Sequence, residues 1–293
     1  MPELPEVETI RRDVIKKLLN KKIVRVESSY KKIVKSNFKI FRKILVNNYF
    51  YKANRIGKLL ILELGDKKNY LLIHLKMTGQ VIYTDNDKLL AGGHSMGDNK
   101  KIPGIGDSLP NKHTHIIFDF QDGSKMYFND MRKFGYLKIV NKNELDEIKA
   151  GYGIEPTTKE FNFENLKEIL KNRKTSIKAF LLNQKQVSGL GNIYVDEVLF
   201  MAKVRPDRLA GKLNTREIKD IIKYVNSILK KAIKYRGTTF SNYADTSGKK
   251  GNYTKFLKVF GRIGDTCPGC KNGLIIKKKI AGRGTHFCSK CQV

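Results

Sequence analysis

Apolar residues change from a helical spacing to a strand-like spacing early in the chain. They recur every three or four positions from Val7 to Leu18, which predicts an amphipathic helix over residues 3–19. Short apolar runs follow, bounded by turn signals such as Asp122-Gly123, and these predict β-strands. We therefore expect a β-rich N-terminal domain built as a sandwich. The predicted strands cover residues 23–26, 59–64, 70–75, 80–83, 115–120, 125–128 and 136–140.

The second half of the chain shows helical periodicity. Residues 151–158, which include Gly153 and Pro156, are typical of a linker between domains. Thr215 is placed to cap the last predicted helix and Gly237 to terminate it. Together with short strands around the C-terminal cysteines, this order of elements predicts an α+β fold. The predicted helices cover residues 163–172, 177–182, 192–202 and 215–235.

Two stretches interrupt the predicted elements. Residues 85–111 contain five glycines and two prolines without periodicity, so we expect a long, mobile surface loop there. Residues 248–252 are typical of a second flexible loop.

The excess of basic residues indicates that this α+β protein binds a polyanion. Lys and Arg number 58 against 28 Asp and Glu, a net charge of +30. From Lys249 to Val293 there are eleven basic residues and one acid, Asp265. No basic amphipathic helix has a bulky apolar face, which favours nucleic acid over membrane. The absence of a secretory signal and of a long apolar run predicts a cytoplasmic protein.

The four cysteines form two CxxC pairs near the C-terminus, separated by 17 residues. This spacing predicts a structural Zn²⁺ site between two hairpins, whereas a redox protein is expected to carry one CxxC beside a βαβ unit. Between the pairs, glycines flank Arg283, so the turn either presents this side chain to a ligand or is an ordinary hairpin tip. The predicted ligands are Cys267, Cys270, Cys288 and Cys291.

The N-terminus carries a candidate nucleophile. Removal of Met1 exposes the secondary amine of Pro2, and an α-amino group has a pKa of about 7.7–8.0. Such an amine can attack an aldehyde-like carbon and form an iminium, with Glu3 and Glu6 close by. The alternative is an ordinary helix start, because Pro and acidic residues both favour the first helical turn.

Other motifs are compatible with DNA contact. Two glycines precede the predicted helix that begins at Asn192, where backbone N–H groups can bind phosphate; a plain tight turn is the alternative. Lys174 and Lys178 are spaced to share one helix face. His113 and His115 are spaced to share one side of a strand, where phosphate contact or a structural role is favoured over metal binding.

Three residues at turns have the character of a wedge that fills the gap left by an unstacked base. They are a flexible apolar residue, a cation and an aromatic ring, namely Met77, Arg132 and Phe134. Core packing is the alternative for Met77 and Phe134.

Taken together, these motifs resemble the bacterial formamidopyrimidine-DNA glycosylases, also called 8-oxoguanine DNA glycosylases, essentially from end to end. Pro-Glu-Leu-Pro-Glu-Val-Glu-Thr at residues 2–9 resembles the family's N-terminal signature. The other similar segments are its lysine hairpin at 55–58, its intercalation loops at 74–79 and 130–135, its helix–two-turn–helix element at 187–196 and its zinc finger at 267–291.

The resemblance implies catalytic roles for four residues. Pro2 would attack C1′ of the damaged nucleotide, and Glu3 would act as general acid and base at the sugar. Lys58 would serve β-elimination, and Arg283 would assist δ-elimination. The implied DNA-binding residues are Glu6, which would also support Glu3, and His74, Met77, His113, Arg132, Phe134, Lys174, Lys178 and Asn192.

The resemblance also implies a domain organisation and partners. Residues 1–150 would form the catalytic β-sandwich domain and 151–240 the helix–two-turn–helix DNA-binding domain. Residues 241–293 would hold a lesion-capping loop, spanning 238–253 overall, and the β-hairpin zinc finger with one structural Zn²⁺. The expected partner is damaged double-stranded DNA, bound by a monomer that works at the bacterial nucleoid.

The implied function is a base-excision repair glycosylase and AP lyase that removes oxidised purines. An endonuclease VIII-type enzyme for oxidised pyrimidines is the alternative, although that type usually has Gly where Leu4 stands. A non-catalytic binder of damaged DNA and a general zinc-ribbon protein explain fewer of the motifs.

The sequence departs from the family pattern in three places. Lys133 stands where arginine is common, the 85–111 segment is long, and the CxxC spacing is one residue longer than usual.

Overall fold

The computed structural model describes residues 2–85, 88–93, 109–238 and 253–293. The chain forms two compact units, one from Met1–Ala150 with Tyr235–Asn252 and the other from Gly151–Lys234 with Tyr253–Val293. The expected flexible loop at 248–252, and all but the end residues of the expected capping loop, lie outside the described residues. The division into three regions stays a prediction.

The described part of the first unit contains two antiparallel sheets and three α-helices. One sheet has the strand order β1-β7-β8-β5-β6 and the other has the order β2-β3-β4-β9. The helices are α1 (Leu4–Lys17), α2 (Phe38–Leu45) and α3 (Lys142–Ala150). The strands are β1 (Ile23–Ser28), β2 (Phe50–Ile56), β3 (Leu59–Leu64), β4 (Asn69–His74), β5 (Gly79–Asp85), β6 (Lys88–Gly93), β7 (Thr114–Phe120), β8 (Lys125–Asp130) and β9 (Tyr136–Asn141).

Helix α1 and the two sheets share one hydrophobic cluster, which confirms the predicted sandwich. Val14 of α1, Leu62 of β3 and Phe118 of β7 are at most 2% exposed. The ring of Phe50 on β2 meets that of Phe118 edge-on, with 6.1 Å between centroids. Each such side chain contributes about 1.5–3 kcal/mol on burial, so the shared cluster fixes the start of the chain against both sheets.

Four elements of this unit, namely α2, α3, β2 and β6, escaped the sequence prediction. Strand β2 does not alternate cleanly, because its register shifts between Phe50 and Lys52. Strand β6 lies within residues 85–111, so the expectation of a loop throughout that stretch was wrong; residues 86–87 and 94–108 lie outside the described residues. Helix α2 has only eight residues and depends on Asn37, whose side chain accepts hydrogen bonds from two backbone N–H groups.

The described part of the second unit contains four α-helices and a β-hairpin. Asn214, and not Thr215 as predicted, caps the longest helix: its Oδ1 accepts from the Glu217 N–H at 2.9 Å, and its own N–H donates to Glu217 Oε2 at 2.8 Å. The elements are α4 (Phe163–Leu170), α5 (Ile177–Leu182), α6 (Asn192–Met201), α7 (Thr215–Lys234), β10 (Ile275–Ile280) and β11 (Arg283–Cys288). Among the described residues, no helix has the length and apolar character that crossing a membrane requires.

Candidate active site and metal centre

The first helix begins at the candidate nucleophile. Pro2 is buried, and Glu3 is the N-cap of α1. The Glu3 N–H donates to Glu6 Oε2 at 2.9 Å, and the Glu3 side chain accepts from the Glu6 backbone, so the two carboxylates form a reciprocal capping box. Both are buried, with Glu3 2% and Glu6 0% exposed. The ordinary helix start and the candidate chemistry therefore use the same residues.

Glu6 also binds the far end of the first unit. Its Oε1 accepts from the N–H of Thr238 at 2.8 Å and from the Thr238 hydroxyl at 3.2 Å. Gly237 has φ +78°, and a Cβ at this position would lie 2.3 Å from Glu6 Oε1. The position therefore requires glycine. The Glu6 carboxylate makes these contacts within the protein, and its DNA-binding role stays a prediction.

Lys58 lies in the two-residue connection between β2 and β3. Gly57, with φ +52°, supplies the left-handed conformation of this turn. Although Lys58 lies at a hairpin tip, it is only 7% exposed. The next residue, Leu59, pairs with His74 on β4.

His74 is neutral at physiological pH. Burial, followed by the charges of Lys76 and Lys58, lowers its pKa to about 3. Its Nδ1 accepts a hydrogen bond from the Lys76 N–H at 3.0 Å, so the proton of the neutral ring is on Nε2. The ring packs on that of Tyr136, with 5.6 Å between centroids. His74 can therefore act as a hydrogen-bond donor of fixed orientation.

Glu8 connects helix α1 to the Lys58 turn, a role that sequence analysis missed. Its carboxylate accepts from Arg11 and Arg12 at 2.8 Å and from Arg55 Nε at 3.0 Å. Arg55 also donates to the carbonyl oxygen of Gly57 at 3.4 Å. Burial of Glu8 raises its pKa, but the hydrogen bonds from Arg11 and Arg12 and the charge of Arg55 outweigh this and lower it to about 2.

We expect Glu8→Gln to lower the free energy of unfolding at pH 7 by about 2 kcal/mol, since hydrogen bonds to a charged group are lost. The folded-state pKa of about 2 is depressed, so this stability is present above the ordinary value of 4.5 and is lost as pH falls towards 2. Urea denaturation at several pH values measures the difference between the two proteins. A gap that stays constant from pH 7 to 3 contradicts this origin, and Glu147→Gln at an exposed position is the control.

The three wedge candidates lie on two neighbouring loops of the first unit. Met77 lies between β4 and β5 and is partly buried; Arg132 and Phe134 lie between β8 and β9. The Arg132 guanidinium sits 4.6 Å from the centre of the Phe134 ring, and Phe134 is 53% exposed. Core packing, the alternative for Phe134, was therefore wrong. Lys133 has φ +56° and places its ammonium 4.7 Å from the ring centre of Tyr30.

Asp130, at the end of β8, fixes both of these loops and was also missed. It is 0% exposed. One oxygen accepts from the Thr78 hydroxyl and from the Arg132 N–H at 3.1 Å, and the other accepts from the Gly135 N–H at 2.6 Å. One buried carboxylate thus joins the loop of Met77 to the loop of Arg132 and Phe134.

We expect Asp130→Ala to lower the free energy of unfolding by about 3 kcal/mol, because buried N–H donors lose their acceptor. For the glycosylase activity that the resemblance implies, lesion excision should fall about tenfold, since both loops that carry wedge candidates lose their shared anchor. Urea denaturation and single-turnover excision measure the two effects. Asp122→Ala is the control, because Asp122 also follows a strand but its side chain is 45% exposed. Equal losses in the two variants would contradict the assignment.

The two histidines of the 113–115 motif have different surroundings. His115 is 2% exposed, and its Nε2 lies 2.7 Å from the Asp130 carbonyl oxygen, so it donates there. Burial lowers its pKa. This is the satisfied structural role that the sequence allowed. His113 is partly exposed, its N–H donates to Asn111 Oδ1 at 3.0 Å, and its DNA contact stays a prediction.

The glycine turn of the second unit leads into α6. Gly189 has φ +94°, and Gly191 is the N-cap of a helix that begins at Asn192. The Asn192 side chain donates to the carbonyl oxygen of Gly284 at 3.0 Å. The expected shared face of Lys174 and Lys178 was wrong: Lys174 is exposed before α5, whereas Lys178 lies within α5 and is 0% exposed.

The four cysteines converge on one point of the second unit. Their sulfur atoms all lie within 4.8 Å of one another. The Cys267–Cys291 pair is separated by 3.6 Å and the Cys270–Cys288 pair by 3.8 Å. A tetrahedral Zn²⁺ with bonds of about 2.3 Å requires sulfur separations of about 3.8 Å, so the thiolate set fits this ion. All four side chains are free thiols and can serve as ligands.

Arg283 lies at the start of β11, at the tip of the hairpin that ends in Cys288. Ala281 and Gly282 form the two-residue turn, both with positive φ, and Ile280 pairs with Arg283. Arg283 is exposed. Although the CxxC pairs are one residue further apart than the family pattern, the hairpin keeps an unbroken register from Ile275 to Cys288.

Known protein domains match most of the chain. The formamidopyrimidine-DNA glycosylase N-terminal domain matches residues 1–137, and the H2TH domain of the same glycosylases matches residues 152–244. The chain belongs to the formamidopyrimidine-DNA glycosylase family.

Individual relatives match over the full length. The formamidopyrimidine-DNA glycosylase of Pelotomaculum thermopropionicum is 38% identical over 295 residues, covering 100% of this chain and 99% of that protein. That of Streptococcus pyogenes serotype M6 is 37% identical, covering 100% and 98%. A complex of the Lactococcus lactis enzyme with an abasic site containing DNA is similar with a TM-score of 0.84, 34% identity and 99% coverage of both chains.

Proposed function

We propose that this protein excises oxidised purines, such as 8-oxoguanine and formamidopyrimidines, from duplex DNA through a Schiff base at Pro2. Its family makes the chain a DNA glycosylase of base excision repair with AP lyase activity. The observation that carries the finer proposal is the start of α1, where Pro2 is followed at once by the buried Glu3–Glu6 capping box. This arrangement places an amine and a carboxylate side by side at a fixed position.

The chemistry follows from the amine. The Pro2 nitrogen attacks C1′, the bond from C1′ to the base breaks, and the base leaves with a proton. Opening of the C1′–O4′ bond, with a proton from Glu3 to O4′, gives the iminium. Loss of a C2′ proton then expels the 3′-phosphate, and a second elimination expels the 5′-phosphate. Water hydrolyses the remaining iminium, which releases the sugar fragment as an aldehyde and frees the Pro2 amine. Lys58 serves the first elimination and Arg283 assists the second.

Access to C1′ requires that the nucleotide leave the base stack, which costs a few kcal/mol. The exposed Arg132–Phe134 pair and Met77 are suited to fill the gap, and cations that neutralise phosphates add affinity. A Lactococcus lactis variant of this family has been solved with DNA that contains Fapy-dG, with a TM-score of 0.85. Damaged double-stranded DNA is therefore the proposed partner, bound by a monomer in the bacterial cytoplasm.

The proposed cofactor is one structural Zn²⁺ held by the four cysteines. When bound, the ion supplies cross-linking of the two knuckles and no open coordination position for water. The β10–β11 hairpin carries Arg283, and its strand β11 ends at Cys288, one of the proposed ligands.

Oxidised pyrimidines are a second candidate substrate class. A Lactococcus lactis relative has been solved with an oxidized pyrimidine containing DNA, at a TM-score of 0.84. Leu4, which is 0% exposed, favours the purine enzyme by its resemblance to that family's signature. Cleavage of 8-oxoguanine:C and thymine-glycol duplexes under the same conditions separates the two. Preference for thymine glycol would reverse the assignment.

Intact mass and borohydride trapping test the nucleophile together. We expect the purified protein to lack Met1 and to form a covalent adduct with an abasic duplex, and peptide mapping should place that adduct at Pro2. An adduct at a lysine, or none from a protein shown to lack Met1, would overturn the proposed mechanism.

A further inference from the structure

Two polar side chains of the second unit, those of Lys178 and His286, meet at Asp196 on helix α6. The Nζ of Lys178, on α5, lies 2.5 Å from Asp196 Oδ1. The backbone N–H of His286, on β11, donates to Oδ2 at 2.8 Å, and the His286 Nδ1 lies 3.3 Å from the same oxygen. The side chains of Lys178 and Asp196 are 0% exposed and that of His286 is 7% exposed.

A buried ion pair of this kind is weak support for stability, because desolvation offsets most of the attraction. The main contribution of this ion pair is to fix the positions of the elements that it joins. Asp196 receives a donor from α5 on one oxygen and a backbone donor from β11 on the other, so a single carboxylate sets the distance between these two elements. The ammonium of Lys178 is what allows the charged carboxylate to remain buried.

A second hydrogen bond from α6 lies close to the first along β11. The Asn192 side chain donates to the Gly284 carbonyl oxygen at 3.0 Å. Gly284 and His286 flank Thr285, so α6 holds the backbone of β11 on both sides of that residue. Arg283 immediately precedes Gly284 and is exposed. The position from which the Arg283 side chain extends is therefore set by Asn192 and Asp196.

We propose that Asp196 is a positioning residue for Arg283, and that Lys178 acts on the reaction through Asp196 and without touching DNA. This rests on the proposed function, in which Arg283 assists δ-elimination. The burial of Lys178 separates the two possible roles of this lysine. A residue that binds DNA must present its ammonium to phosphate, whereas this ammonium is committed to a carboxylate inside its own unit.

The first test measures the β- and δ-elimination products that the protein forms from an abasic duplex. The two products have different 3′ ends and are separated on a denaturing gel. We expect Asp196→Ala to lower the ratio of δ- to β-product about tenfold, because a misplaced catalytic group loses much of its effect. Borohydride trapping should stay within about twofold, since Pro2 belongs to the other unit. Glu217→Gln, which breaks the Arg208–Glu217 ion pair elsewhere in the second unit, is the matched control and should leave the ratio unchanged.

The second test decides how Lys178 acts. Lys178→Met leaves a buried carboxylate without its ammonium and should lower the product ratio as Asp196→Ala does. The double variant Lys178→Met/Asp196→Asn removes both charges but keeps an oxygen for the His286 N–H, so most of the ratio should return. If Lys178 contacts DNA, the double variant will be no better than Lys178→Met, and the proposal is overturned.

Folding and the proposed function are checked separately. If Lys178→Met alone fails to fold, the double variant is compared with wild type, and a low ratio in a folded double variant still overturns the proposal. Zinc content should be equal in all variants, because the four cysteines are intact. If the wild-type protein forms no adduct with an abasic duplex, the proposed function has failed before any variant is considered.

Discussion

We expect Glu3→Gln to lower the single-turnover rate of 8-oxoguanine excision by about 10³-fold, within the range that a general acid–base residue contributes. The glutamine side chain keeps an oxygen that can accept the Glu6 N–H, so the start of α1 should remain intact. It cannot deliver a proton to the sugar. Duplex binding, measured by fluorescence anisotropy, should change less than about threefold, since no phosphate contact is removed.

Two further variants help to interpret this result, one as a control and one as a test of the nucleophile. Glu147→Gln, at an exposed position on α3, should have wild-type rates. Pro2→Gly should still form some borohydride adduct but more slowly, because glycine also offers an amine once Met1 is removed. A Glu3→Gln protein that excises the base at the normal rate would remove Glu3 from the mechanism.

The second large effect is expected at the metal centre. Cys288→Ser should lose zinc altogether and weaken duplex binding by at least about tenfold, because such a finger is held together by its ion. Cys288 is 0% exposed and packs with Phe200, Val259 and Ile275, so loss of the metal also loosens this small cluster. Zinc content by mass spectrometry and affinity by anisotropy measure the two losses.

Ser289→Ala provides the control for this variant. Ser289 is exposed and lies in the same knuckle, between the two ligands of the second CxxC pair. It should retain one zinc ion and normal affinity. A Cys288→Ser protein that still held zinc and cleaved DNA normally would show that the finger does not depend on four thiolates.

Regular elements could be predicted where burial follows the pattern of the sequence. Strand β3 was predicted with the observed bounds, since Leu59–Leu64 is an apolar run between two turns. Strand β2 was missed because a register shift breaks its alternation, and β6 because glycine masked its pairing with β5. In each case the signal resides in the partner strand, which no local pattern reveals.

The residues of the candidate site also fall into those that a local sequence pattern predicts and those that depend on a distant partner. Pro2, Glu3 and the cysteines belong to short motifs whose chemistry is legible from neighbouring residues. The buried carboxylates Glu8, Asp130 and Asp196 were missed because each has at least one partner that is distant in sequence: Glu8 binds Arg55, 47 positions away, and Asp196 binds His286, 90 positions away. A charged residue that will be buried looks like any surface residue until its partner is known.

The chain leaves the first unit at residue 150 and returns to it at Tyr235. On its return, Thr238 donates to Glu6, and Arg236 lies 2.5 Å from Asp13 as an ion pair. A fragment that stopped at residue 150 would lack both contacts to its first helix. A single gene fusion or recombination point after residue 150 would therefore not transfer the amino-terminal unit of this enzyme with all of its contacts.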